Sequence, residues 1–158
     1  MPSYQGGSVV MRTFRHALIS LTIAAGCAVL TPAVAAAVQS AAAPCGSSAA
    51  ACISLSSRQA WLMNGGQVTY GPTPITSGMP GHRTPAGLFR VQWKDRNHRS
   101  SLFHNAPMPY SVFFTNTGIA FHEGSLSRAS HGCIHLGHNA AATFFNKLSV
   151  GQIVQVVD

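Results

Sequence analysis

The sequence predicts a mostly β domain with one short helix near its C-terminus. Three observations carry that expectation. Runs of strand length, rich in Val, Ile, Phe, Tyr and Trp, recur from Cys52 onward and are separated by Gly, Pro and Asn. One segment alone, "NAAATFFNKLSVG", has helical patterning. No internal repeat is present, and no Gly-x-Gly loop offers a seat to a nucleotide cofactor. The 158 residues suit one domain with a modest core.

The elements follow in order. Residues 1–37 read as an N-terminal extension and a secretory signal. "MRTFRH" from Met11 is basic, "ALISLTIAAGCAVL" is apolar, and "TPAVAAA" ends in the small residues behind which signal peptidases cut. The apolar run is broken by Thr, Gly and Pro, which argues against a membrane span. "AAGC" at Cys27 resembles a lipidation box, but Ala24 stands where such boxes usually carry Leu. Residues 38–51 are an Ala/Ser-rich linker, and the domain is expected over 52–158.

Within the domain, "CISLSSRQAWLM" and "QVTY" flank the turn "NGG", Asn64 to Gly66, and predict a hairpin. "GPTPITSG" reads as a proline-limited edge. "TPAGLFRVQW" is a strand with Leu88, Arg90 and Gln92 alternating against Phe89, Val91 and Trp93. "YSVFF" and "IAFHEG", joined by "TNTG", make a second hairpin that ends at His122. The helix is expected to be capped by Asn139, to pack through Phe144, Phe145 and Leu148, and to close at Gly151. "QIVQVV" returns to strand. Trp61 and Trp93 are expected to be packing residues.

Charge excludes some functions. Ten basic against three acidic residues give +7, and loss of Arg12 and Arg15 with the signal would leave +5. A moderate positive charge on an exported protein suits an anionic surface such as a cell wall. Arg90, Lys94, Arg96 and Arg99 belong to a strand and its turn without an aromatic stacking series, so nucleic acid is not an expected partner.

The chemistry concentrates in "FHEGSLSRASHGCIHLGHN", Phe121 to Asn139, which sets one cysteine among four histidines. In an oxidising compartment Cys45 and Cys52 can pair across "GSSAAA", leaving Cys133 over; a bridge from Cys133 to either is the competing pairing. As a nucleophile, Cys133 needs an imidazole to take its proton and lower its effective pKa. His122, at a strand end, can return beside it through the "EGSLSRAS" loop. Gly132 would let substrate and backbone N–H groups approach a developing oxyanion. As a metal site, His131, Cys133 and His135 alternate along an extended segment, with His138 and His122 in reserve. As a bland reading, Cys133 is a buried structural cysteine among surface histidines.

"SHGCIHL", Ser130 to Leu136, with His122 upstream and "TPAG" at Thr84 to Gly87, resembles the L,D-transpeptidases of bacterial cell walls. "NAPMPYSVFF" and "GIAFHEGSL" resemble the small actinobacterial members, and the likeness covers about Cys52 to the C-terminus. It implies a β-sandwich with the cysteine in a groove; no cofactor is expected, and no metal, since ligands one residue apart rarely close a tetrahedron without strain. Cys133 then matches the nucleophile and His122 its general base. His131 and Ser130 match residues that shape the site, and Gly132 with Cys133 matches the oxyanion hole. The implied reaction attacks the L-centre carbonyl of a peptidoglycan stem before its terminal D-alanine and passes the acyl group to an amine of a second stem. Water as acceptor would make an L,D-carboxypeptidase, and a groove without turnover would make a wall-binding module. The implied protein is an exported monomer of the periplasm or cell wall.

Two departures stand out. Only seven residues separate His122 from Ser130, and His135 replaces the usual Arg or Asn. An imidazole lacks the fixed donor fork of a guanidinium, so substrate preference is where these departures should be felt. His104, Tyr110 and Arg128 are further candidate substrate contacts. Glu123, next to His122 on a strand, is expected to point away from it.

Overall fold

The computed structural model describes residues 42–158. The expected signal, its cleavage site and Cys27 lie outside the described residues. Nine strands and one helix form two sheets. The first sheet has five strands. They are β1 (Ala49–Ser54), β2 (Gln59–Asn64), β3 (Gln67–Pro74), β4 (Gly87–Arg90) and β9 (Ile153–Val157), in the order β3-β2-β1-β9-β4. The second sheet, in chain order, comprises β5 (Trp93–Arg99), β6 (Pro107–Phe113), β7 (Ala120–Glu123) and β8 (Ile134–Leu136). The helix α1 spans His138–Lys147. This is the mostly β architecture expected, with one helix among the described residues, late in the chain.

Alternation explains the layering. Ala51 and Ile53 of β1, Ala60 and Leu62 of β2, and Val154 and Val156 of β9 point into the main core. Cys52, Trp61 and Met63 take the other face and form a second cluster covered by Ala43 and Cys45. The Cys45–Cys52 disulfide ties that cover to β1 at a Cα separation of 5.7 Å. Closing so short a loop stabilises by about 2 kcal/mol in the chain-entropy account. Across the core, Tyr70, Phe144, Phe121, Phe114 and Phe89 form a chain of tilted and T-shaped contacts with centroids 5.0–6.1 Å apart, joining β3, α1 and the second sheet to β4.

Several local expectations shift. β1 begins at Ala49, so the expected boundary at Cys52 falls inside a strand. "CISLSSRQAWLM" is two strands, because residues 55–58 turn, with Arg58 at φ 53°. In the hairpin after β2, the two residues at positive φ are Gly65 and Gly66; Asn64 still pairs with Gln67. "TPAGLFRVQW" breaks in the middle. Val91 exchanges backbone bonds with Gly151 and Gln152 beside β9, while the next residue, Gln92, donates to Phe113 in the other sheet. Buried Val91 is thus a corner between sheets, and Trp93 beyond it is 44% exposed rather than packed inside. The N-cap of α1 is Gly137, not Asn139. Gly137 is extended at φ −66°, ψ 157°, and its carbonyl accepts from Ala141 N–H, which places Asn139 inside the first turn.

The same alternation builds the site. On β7 and β8, Phe121, Ile134 and Leu136 face the core, so His122 and His135 face the opposite side of the sheet. β7 and β8 are parallel, so the chain must cross over between them, and residues 124–133 make that crossing. Segment 75–78, leaving β3, pins it through the bridges Thr76↔His135 and Gly78↔Ser130.

Candidate active site

A groove of about 860 Å³ opens on that outer face, lined by His122, Ser130, His131, Cys133, His135 and Arg128. Trp93, Phe113 and His98 line it from β5 and β6, and Leu102, Phe103 and Met108 from the loop between them and the start of β6. Trp93 stacks on Phe113 at 3.8 Å and 9°, giving the groove a flat aromatic wall.

Cys133 is the free cysteine of the described residues, half-buried with its thiol 3.9 Å from the Gly118 carbonyl. The turn that presents it is held by two hydroxyls. Ser130 Oγ donates to the Cys133 carbonyl (2.6 Å) and accepts from Gly132 N–H (3.0 Å). Thr84 Oγ1 donates to the Gly132 carbonyl (2.7 Å) and accepts from Gly78 N–H (3.1 Å). Gly132 sits at φ 114°, a backbone conformation that favours glycine, and a Cβ there would crowd the Ile119 side-chain tip at 3.2 Å. Its N–H is committed to Ser130. Of the two N–H groups expected at an oxyanion hole, that of Cys133 alone has no acceptor among the described residues.

His122 is 7% exposed, and its Nδ1 lies 2.7 Å from the Glu123 carbonyl oxygen. A carbonyl only accepts, so Nδ1 carries the hydrogen and Nε2 keeps the lone pair. Burial, reinforced by the nearby His135 and His98, lowers the His122 pKa to about 4. Burial also raises the Cys133 thiol above its ordinary value, an effect the Ala120 backbone only partly offsets. The expected depressed thiol is therefore absent. The resting pair is neutral thiol and neutral imidazole, because a desolvated groove penalises both ions.

The remaining sequence candidates divide. His131 is exposed and lies between His82 (4.6 Å) and Phe103 (4.7 Å) on the groove rim. His135 turns to Thr76 and Ser125, so His131, Cys133 and His135 do not converge as ligands. No group of three or more potential metal ligands forms among the described residues. Arg128 lines the groove with an exposed side chain. His104 and Tyr110 are not groove residues. His104 sits exposed at φ 48° in the loop after β5, and Tyr110 packs on His138 and Phe145 beside α1. Glu123 turns its carboxylate to His138 Nδ1 at 2.9 Å, while its backbone carbonyl orients His122.

Sequence reasoning missed Thr84, Thr76, His82, His98 and Phe103. Thr84 belongs to the "TPAG" match, yet nothing local signals that a residue 48 positions from Gly132 would hold its carbonyl. We expect Thr84→Val to strand the Gly78 N–H and the Gly132 carbonyl in a buried setting. The cost should be about 2–4 kcal/mol, read as a lowered denaturant midpoint.

Fold and groove together define a two-sheet β domain whose groove is lined by one free thiol and by a buried, oriented imidazole. The chain belongs to the YkuD L,D-transpeptidase catalytic domain family, whose model matches residues 48–156. It is similar to an L,D-transpeptidase from Stackebrandtia nassauensis at 26% identity and TM-score 0.64, over 68% of this chain and 54% of that one. An L,D-transpeptidase solved in complex with imipenem is 29% identical at TM-score 0.59, over 66% and 56%. One from Mycobacterium tuberculosis H37Rv is 25% identical at TM-score 0.62, over 67% and 56%. The chain thus spans little more than half the length of these structures. No curated protein matches it in sequence.

Proposed function

We propose that this domain performs cysteine-dependent acyl transfer on peptidoglycan stem peptides, with Cys133 as nucleophile and His122 as base. The carrying observation is that the free thiol shares its groove with an imidazole whose Nδ1–H is fixed and whose Nε2 has no partner among the described residues. Since both groups rest neutral, attack and proton transfer occur together: Sγ adds to the L-centre carbonyl as its proton moves to His122 Nε2. The oxyanion forms against the Cys133 N–H, and His122 then protonates the leaving D-alanine amine. A thioester on Cys133 remains, to be taken by an amine of a second stem. Ser130 and Thr84 hold the turn, and His131 shapes its rim. Arg128 is the loop cation placed to meet a stem carboxylate. Export as a monomer to the periplasm or cell wall fits this substrate and the disulfide.

Intact-mass measurement with a tetrapeptide donor tests the reading. The expected result is a thioester confined to Cys133 with release of D-alanine. Release of D-alanine into water without amide product would instead favour the L,D-carboxypeptidase reading. Binding of wall fragments without either would favour a wall-binding module. Because a similar structure holds imipenem, we also expect that drug to form a covalent adduct on Cys133 and none on Cys133→Ala, by the same measurement.

A further inference from the structure

Resting on the acyl-transfer reading, we propose that His135 is a second base of the groove, which takes the ammonium proton of the incoming acceptor amine. The need arises from proton stoichiometry. An acceptor arriving as R′NH3⁺ must lose two protons to become an amide N–H. One leaves before attack, because a protonated amine has no lone pair. The other leaves as the nitrogen adds to the thioester carbon and the C–S bond breaks; His122 carries that one to Cys133 Sγ. The sum is thioester plus R′NH3⁺ giving amide, free thiol and one proton, and His122 accounts for only one of the two transfers.

His135 is placed to take the other. It stands opposite His122 in the β7–β8 pairing, ring edge against ring face at 4.9 Å and 74°. Its Nδ1 lies 3.1 Å from the Ser125 carbonyl and 3.0 Å from Thr76 Oγ1. The Thr76 hydroxyl hydrogen is directed to Ser125 O (2.8 Å) or Arg128 O (3.1 Å), so both neighbours of Nδ1 accept. Nδ1 therefore carries the hydrogen, and the lone pair of the neutral ring is on Nε2. Nε2 has no hydrogen-bond partner among the described residues and is not sealed from solvent, and the ring lines the groove. The orientation is fixed from behind as well. A Cβ on Gly124 would sit 2.6 Å from the ring's Cγ and Cδ2, so the imidazole rests directly on backbone.

The charged and titratable groups that share the groove with it include His122 on β7, Cys133 before β8, His131 and Arg128 in the crossing loop, His98 on β5 and His82 after β3. Glu123 is the one carboxylate lining the groove among the described residues, and His138 of α1 already engages it. An Arg or Asn here would supply donors; a neutral histidine with Nδ1 blocked instead turns a lone pair on Nε2 to the groove, which can accept a proton from an ammonium.

The test separates acylation from amide formation in the full chain, comparing His135→Asn with the unaltered protein. Two acceptors are used: a stem-peptide side-chain amine, mostly ammonium at neutral pH, and methoxyamine, already free base there. Starting from preformed thioester, we expect amide formation from the ordinary amine to fall roughly 10²-fold, with methoxyamine nearly unaffected. Equal losses with both acceptors, or no loss at all, would each overturn the proposal. If His135→Asn does not fold, acceptors of graded basicity decide the matter in the unaltered protein. Rates that track only the free-amine fraction of each acceptor overturn it; ammonium acceptors outpacing that fraction support it. Failure of the underlying reading is distinct, since then no thioester forms on Cys133 in the unaltered protein.

Discussion

Cys133→Ser should lose acylation by on the order of 10⁴-fold or more while keeping its fold. The size follows from the neutral resting pair. His122, with its pKa lowered to about 4, is a weak base, and Cys133 rests as a thiol raised by burial. A thiol can still be deprotonated as it attacks, since sulfur is intrinsically nucleophilic and its proton far more acidic than a hydroxyl's. A serine hydroxyl presents that weak base with a much less acidic proton. The exchange is nearly isosteric at a half-buried position, so circular dichroism and the denaturant midpoint should stay close to those of the unaltered protein. Thioester formation, followed by intact mass, checks the rate. Binding of a donor stem to Cys133→Ser should persist, because the groove walls Trp93, Phe113 and Met108 are untouched. Undiminished acylation by Cys133→Ser would remove the cysteine from the mechanism.

His122→Ala should slow acylation by roughly 10²–10⁴-fold, the usual contribution of a positioned base. His131→Ala should cost less, because that ring lies exposed between His82 and Phe103, whereas His122 is buried with its Nδ1 fixed by the Glu123 carbonyl. A larger loss in His131→Ala would reverse the assignment. The acid limb of acylation should fall near pH 4, not near 6.5, because His122 stays unprotonated down to about 4. Stability follows the same shift. An unfolded-state imidazole binds its proton near pH 6.5 and the folded one near 4, so between those values the unfolded chain holds more protons. Stability should therefore be lost as pH falls through that window, by about 3 kcal/mol in total from this residue. Urea midpoints measured from pH 7 to pH 4 should show the loss, and His122→Gln should flatten it.

How much of this was legible beforehand can be read residue by residue. The sequence determined what depends on neighbours in the chain. Period-two patterning located the strands, Asn64–Gly66 marked a hairpin, and Ser130–Cys133 with His122 marked the chemistry and its family. It favoured pairing Cys45 with Cys52, seven residues apart, over a bridge from either to Cys133, and the structure has that bridge.

The tertiary structure alone decided what depends on distant neighbours and on burial. That Val91 turns the chain from one sheet into the other, leaving Trp93 as a groove wall, is a choice made by Gln152 and Phe113. That Gly132 is gripped by Thr84, and His135 by Thr76, required segments 48 and 59 residues away to arrive in register. Tyr110 and His104, plausible by proximity in sequence, are carried to other surfaces by backbone at positive φ. The protonation of Cys133 and His122 reversed expectation for the same reason. A thiol served by an imidazole suggests a lowered thiol pKa, but burial of both groups favours their neutral forms, and desolvation is a property of packing that no local sequence pattern encodes.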